Sequence, residues 1–139
     1  MKIDKITMPS ERNGRYFLYK REGDQEQYII YMRESLDGKD RVLVDPHLID
    51  PDNNTSVGIS SISKDGTLLA YSLRQGGEDE VEIHFLNVDT KDELDDILPK
   101  GRYFGISIKP DKSGIFYSSF DDNGPRVTML SALKFQMTF

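Results

Sequence analysis

The chain has 139 residues, 30% of them charged, with a formal net charge of −6. That length allows one ordinary domain with a buried core. The acidity, with 18 Lys and Arg scattered among acids as in Lys20-Arg21-Glu22 and Lys39-Asp40-Arg41, argues against nucleic acid as a partner.

Cysteine is absent, which excludes disulfides and thiolate chemistry. Neither an apolar signal core after Met1 nor a run of ~20 apolar residues is present, so the expectation is a soluble, cytoplasmic protein without membrane contact. Residues 1–12 are polar and predict no firm element. Tyr16–Lys20 reads as an aromatic-rich strand, and Gln27–Met32 as a second strand, apolar on both faces as in a strand covered on both sides. Asp37-Gly38 marks a turn into a short third strand, Arg41–Val44. Asp45–Thr55 contains Pro46 and Pro51, which exclude a central strand there, and its Asp and Asn residues favour turns, so this is a crossing loop.

Val57–Ser63, Leu68–Leu73 and Val81–Val88 are the strands of a second unit, with Arg74–Glu80 a hairpin loop between the last two. Asp89–Asp96 could form one helical turn, but the repeat described next makes it a turn into a short outer strand near Ile97-Leu98. A third unit opens at Tyr103–Ile108, continues at Ile115–Phe120, turns at Asp121–Gly124 and starts another strand at Arg126-Val127. Thr128–Phe139 has one charge, no turn residue and no defensible period, and fits either a further strand or an unrelated terminus.

The organising signal is a repeat. Ser61–Ser72 (Ser-Ile-Ser-Lys-Asp-Gly-Thr-Leu-Leu-Ala-Tyr-Ser) recurs 46 residues later as Ser107–Ser118, with Ser, Ile, Asp, Tyr and Ser coinciding without a gap. A fainter copy, Asn13–Tyr19, mirrors Asp65–Tyr71. A hairpin returning every ~40–50 residues predicts propeller blades. Four blades at this period would exceed the chain length. The predicted fold class is therefore all-β, an incomplete β-propeller of about two and a half blades of antiparallel four-stranded sheets. Its expected divisions are a polar segment (1–12), a partial propeller (13–127, blades about 13–46, 57–98 and an incomplete 103–127) and an atypical tail (128–139). Asp65 and Tyr71, like Asp111 and Tyr117, are expected to hold blades together.

Five blocks, in order and spacing, carry a resemblance: Asn13–Phe17, Ser35–Pro46, Ser63–Ser72, Gly76–Ile83 and Gly114–Ser118. From about residue 12 to 127 the chain resembles the N-terminal propeller of the prolyl oligopeptidase family of serine peptidases. The resemblance implies a seven-bladed propeller capping an α/β-hydrolase domain, whose Ser-Asp-His triad cuts short peptides, typically after proline. It also implies an interdomain contact at Asp79, which resembles an acidic residue facing the catalytic domain, and a substrate-binding role for Tyr103, which sits where the family often has a subsite aromatic. Read as residues alone, Asp79 is better explained as a solvated loop carboxylate and Tyr103 as a blade-packing aromatic.

Catalytic residues are not expected within the chain. A nucleophile elbow needs Gly-x-Ser-x-Gly, and Gly58-Ile-Ser-Ser-Ile62 and Gly105-Ile-Ser-Ile-Lys109 lack the second glycine. Ser61–Lys64 and Ser131–Lys134 match Ser-x-x-Lys without its accompanying motifs. His47 and His84 have no partners legible in sequence and give no zinc signature, and Asp50–Thr55 lacks the Gly and Glu of a calcium loop, so neither metal nor cofactor is expected. The leading reading is the propeller portion of a prolyl oligopeptidase-like endopeptidase, gating short peptides to a hydrolase domain absent from this chain and inactive alone. Its alternatives are a free-standing binding module that self-associates through exposed blade faces, and a truncated gene product without a role.

Overall fold

The computed structural model describes residues 5–6, 9–21, 23, 27–49, 54–110, 114–121 and 124–131, with backbone alone at 5–6, 96, 99, 103–104, 119–121 and 124–131. The expected all-β class and blade architecture hold. The first blade comprises β1 (Lys5–Ile6), β2 (Ser10–Arg12), β3 (Arg15–Arg21), β4 (Ile29–Arg33) and β5 (Arg41–Val44), all antiparallel. β1 and β2 lie end to end along one edge of β3, pairing Ile6 with Lys20 and Ser10 with Phe17, while β4 takes the other edge.

Strands within residues 1–12 were not expected. Ser10, Glu11 and Arg12 are all exposed, so no apolar alternation betrays β2. Its cause is the turn that follows, since Asn13 and Gly14 both take positive φ (52° and 84°), as a tight two-residue hairpin turn requires.

The crossing loop contains one helical turn, α1 (Pro46–Ile49). Asp45 starts it, its Oδ1 accepting the His47 amide at 2.9 Å, and Pro46 occupies a first-turn position where a missing N–H does no harm. A six-stranded antiparallel sheet follows in simple order: β6 (Thr55–Ile62), β7 (Leu68–Gln75), β8 (Val81–Asn87), β9 (Glu93–Ile108), β10 (Gly114–Asp121) and β11 (Gly124–Ser131). The sequence reading separates an outer strand near Ile97-Leu98 from a new strand at Tyr103. The structure fuses them into one 16-residue strand. Its first part pairs with β8 as far as Val81↔Gly101, and its second pairs with β10 from Phe120↔Arg102, so no connecting residue is needed. Pro99 is accommodated because a register shift falls between Val81↔Gly101 and Ile83↔Leu98. β11 runs four residues beyond Val127, pairing Ser131 with Gly114.

Two apolar layers separate the blades. Phe17, Ile30, Met32, Leu43 and Val44 of the first blade meet Val57, Leu69, Tyr71, Leu73 and Leu86 of the second. On the second blade's other face, Leu68, Ala70, Ile83, Phe85 and Leu98 meet Ile108 and Ile115, with Ile106 and Tyr117 partly buried alongside. Alternation in β7 supplies both layers, odd residues facing one neighbour and even residues the other.

The repeated turn is tied locally. Asp65 Oδ1 accepts from the Ser63 hydroxyl (2.7 Å), the Thr67 hydroxyl (2.7 Å) and the Thr67 amide (3.1 Å). The Ser63 N–H closes on the Leu68 carbonyl at 2.8 Å, and the Lys109 N–H closes identically on Gly114 at 3.0 Å in the copy. Tyr71 therefore packs between blades as expected, whereas Asp65 organises its own hairpin; Asp111 lies outside the described residues.

The blades are also pinned by charge. Arg15 reaches from β3 to donate to the Gly66 carbonyl (3.1 Å) and to Asp89 Oδ1 (2.6 Å), and Arg41 donates to the Asp89 carbonyl (2.5 Å).

Candidate functional site

The register fixes which loops share an end of the blades. Thr55 pairs with Gln75 and Val81 with Gly101, so the β7–β8 loop lies at the end where β9 crosses from the second blade to the third. The Gly76 amide donates to the Asn54 carbonyl at 2.6 Å, drawing the crossing loop to the same end. Asp79 sits in the β7–β8 loop, exposed, with no hydrogen bond or ion pair to a described residue. Tyr103 lies two residues beyond Gly101 in β9, paired with Ser119. Asp79 and Tyr103 thus belong to one end of the array, though the Tyr103 side chain falls outside what the structure describes.

This end is acidic. Glu78, Asp79 and Glu80 crowd one exposed loop, and Lys100 Nζ answers Glu78 Oε2 at 2.9 Å. The Lys100 ammonium is held above its ordinary value, first by the Glu78 hydrogen bond and then by the charges of Glu78, Glu82 and Glu80.

His47 also belongs here, and its pairing with an acid was not read from sequence. Its Nδ1 lies 2.8 Å from Asp45 Oδ1, and its Nε2 accepts the Gln27 amide at 3.3 Å. Asp-x-His spacing at the start of a helical turn was the available signal. With both ring nitrogens engaged, the pair ties the β3–β4 loop to the crossing loop and leaves no nitrogen to activate a nucleophile. His84 stacks on Tyr71 at 5.5 Å between ring centroids, with its Nε2 buried and unbonded. The Tyr71 hydroxyl donates to Glu93, and burial followed by this contact raises its ionisation well above the usual tyrosine range. Among the described residues, no three His, Asp or Glu side chains gather as a metal site.

Two of the clefts lie at contrasting places. One of 530 Å³ lies at the opposite end, between the first-hairpin tips, lined by Glu11, Arg12, Asn13, Lys64, Asp65 and Pro110. The other, of 300 Å³, lies between the second and third blades. Among the described helices, none is long and apolar enough to cross a membrane.

Four-stranded antiparallel blades packed face to face through shared apolar layers define part of a β-propeller. Residues 1–134 match the family model of the prolyl oligopeptidase N-terminal β-propeller domain, and the chain belongs to that family. It is 37% identical over 118 residues to the prolyl endopeptidase of Elizabethkingia miricola, an alignment spanning 85% of this chain and 16% of that protein. The chain thus spans about one sixth of the length of the curated relatives it resembles. A solved structure from a mechanistic study of two prolyl endopeptidases superposes with a TM-score of 0.84 at 27% identity, covering 94% of this chain and 21% of its own. Prolyl oligopeptidase B from Galerina marginata, bound to a 25mer macrocyclization substrate, shares the fold at 17% identity with a TM-score of 0.77, over 96% of this chain and 22% of that one.

Proposed function

We propose that this chain serves as the opening blades of a peptidase propeller, restricting a partner hydrolase domain to short peptides. The reading is supported most by the placement of Asp79 and Tyr103 at one end of the blades, where a docked domain would meet both. Asp79 then provides an interdomain contact and Tyr103 a wall of the peptide site. Proteolysis belongs to the assembled enzyme, with the seryl nucleophile supplied by the hydrolase domain; short peptides are substrates only in that setting. Nucleic acid, membranes, metals and cofactors have no part in this reading, and the setting is the cytoplasm.

The test is a chimera in which residues 1–131 replace the matching segment of the Elizabethkingia miricola prolyl endopeptidase. The chimera should cleave a short prolyl peptide and refuse a folded protein carrying the same bond, while the isolated chain cleaves neither. Cleavage of the folded protein by a chimera with an intact, cooperative melt would refute gating. Peptide hydrolysis by the isolated chain, copurifying with it through successive columns, would refute the division of labour.

A further inference from the structure

The 300 Å³ cleft between the second and third blades is built unlike the rest of their interface. Elsewhere this interface is apolar, with Leu68, Ala70 and Phe85 fully buried against the third blade. Here its lining is Ile59, Val81, Ile83 and Ile106 with Ser60, Ser72, Arg74 and Gly105.

Three features place a polar group beside an apolar pocket. First, Ile59 pairs with Tyr71 and Ser61 with Ala70, so Ser60 is an extra residue on β6, a bulge that turns its side chain out of the ladder. Second, Arg74 follows Ala70 and Ser72 on the same face of β7, is exposed, and makes no hydrogen bond or ion pair to a described residue. Third, Gly105 is exposed, and a Cβ added there would meet no atom within 4 Å, so the missing side chain keeps the cleft open. Glu82 alternates with Val81 and Ile83 and so faces the first blade, leaving no β8 carboxylate to satisfy Arg74 across the cleft.

The Ser72 hydroxyl donates to the Gly58 carbonyl at 3.4 Å, so a guanidinium and the Ser60 hydroxyl stand beside an isoleucine and valine wall, which suits a carboxylate carried next to an apolar side chain. The volume is at the lower end for ligand pockets, room for a residue or two. We infer that this cleft binds the C-terminal carboxylate of a peptide ending in an aliphatic residue, with Arg74 pairing the carboxylate, Ser60 donating to it, and the aliphatic side chain packed against Val81, Ile83 and Ile106. The inference concerns binding by this chain alone and stands apart from the gating proposal.

The experiment is an amide chemical-shift titration of the full chain with N-acetyl-alanyl-leucine, its C-terminal amide and inorganic phosphate. The free acid should shift Ser60, Ser72, Ile83, Gly105 and Ile106, and bind at least about tenfold more tightly than the amide, a difference of one charge-assisted contact. Arg74→Gln should remove the preference for acid over amide. Gly105→Leu should abolish both, with unchanged melting because both substitutions are at exposed positions. Equal binding of acid and amide, undiminished binding by either variant, or phosphate matching the peptide acid at the same residues would overturn the inference.

Discussion

Gly66 tests how tightly the first two blades are interlocked. It adopts φ +75°, and a Cβ there would lie 2.9 Å from the carbonyl oxygen of Arg12 in the neighbouring blade's hairpin. That oxygen is backbone and cannot swing aside. Gly66→Ala therefore carries two costs: about 1 kcal/mol for a left-handed alanine, and about 2 kcal/mol more for forcing two packed turns apart. Gly76 separates them. Its φ is +59° and an added Cβ meets nothing within 4 Å, so Gly76→Ala carries the conformational cost alone. In urea denaturation Gly66→Ala should lose about 3 kcal/mol and Gly76→Ala about 1 kcal/mol. The corresponding drops in melting temperature are about 10 °C and about 4 °C for a chain of this size. The reasoning fails if the two variants agree within about 0.5 kcal/mol, because the turns would then not be in contact.

Asp40 sits between Lys20 Nζ (3.0 Å) and Arg33 Nε (2.5 Å) with its side chain 19% exposed, and the Arg33 hydrogen bond holds its carboxyl below the usual range. Asp40→Asn should cost about 2 kcal/mol at pH 7. A depressed carboxyl contributes stability above the unfolded value of ~3.9 and loses it as pH falls through the folded one, so the gap between wild type and variant in thermal melts should close in acid and persist at pH 5–8. Arg15→Ala removes the donor to Gly66 and Asp89 and should cost about 1–2 kcal/mol; a double-mutant cycle with Asp89→Ala should recover less than the sum, and strict additivity would show that the pair is uncoupled. Phe85 is fully buried between the second and third blades, and Phe85→Ala should cost about 3–5 kcal/mol in the same denaturation assay, where a loss below 1 kcal/mol would contradict the interface.

The blades were legible because their hairpins repeat the same chemistry. Asp65-Gly66 and Asn13-Gly14 announce turns, and Leu68–Leu73 carries apolar residues on both faces because both are covered. β2 was not legible, since its three residues face solvent and carry no period. Nor was the continuity of β9. Pro99 and Gly101 are residue types that ordinarily interrupt a strand, and only the partner register shows that both sit at the hand-over between β8 and β10. The family resemblance pointed to Asp79 and Tyr103, and topology supplies their common end of the array. The His47–Asp45 pair is local and its Asp-x-His spacing was there to be read, whereas the Arg15 bridge and the cleft at Arg74 depend on contacts across elements, or on a one-residue bulge, and no local pattern encodes those.

β9 gives the second and third blades one backbone. Repeat arrays ordinarily behave as a chain of separable units, each coupled to the next through side chains alone. Here the strand that finishes one sheet is the strand that founds the next, with Gly101 and Arg102 as adjacent residues in two ladders. A slip by one residue in Glu93–Gly101 would turn every side chain of Arg102–Ile108 to the opposite face. Ile106 and Ile108 would leave the apolar layer together. The two blades must therefore settle on their alignment jointly, and a disturbance at one is transmitted to the other as a change of phase.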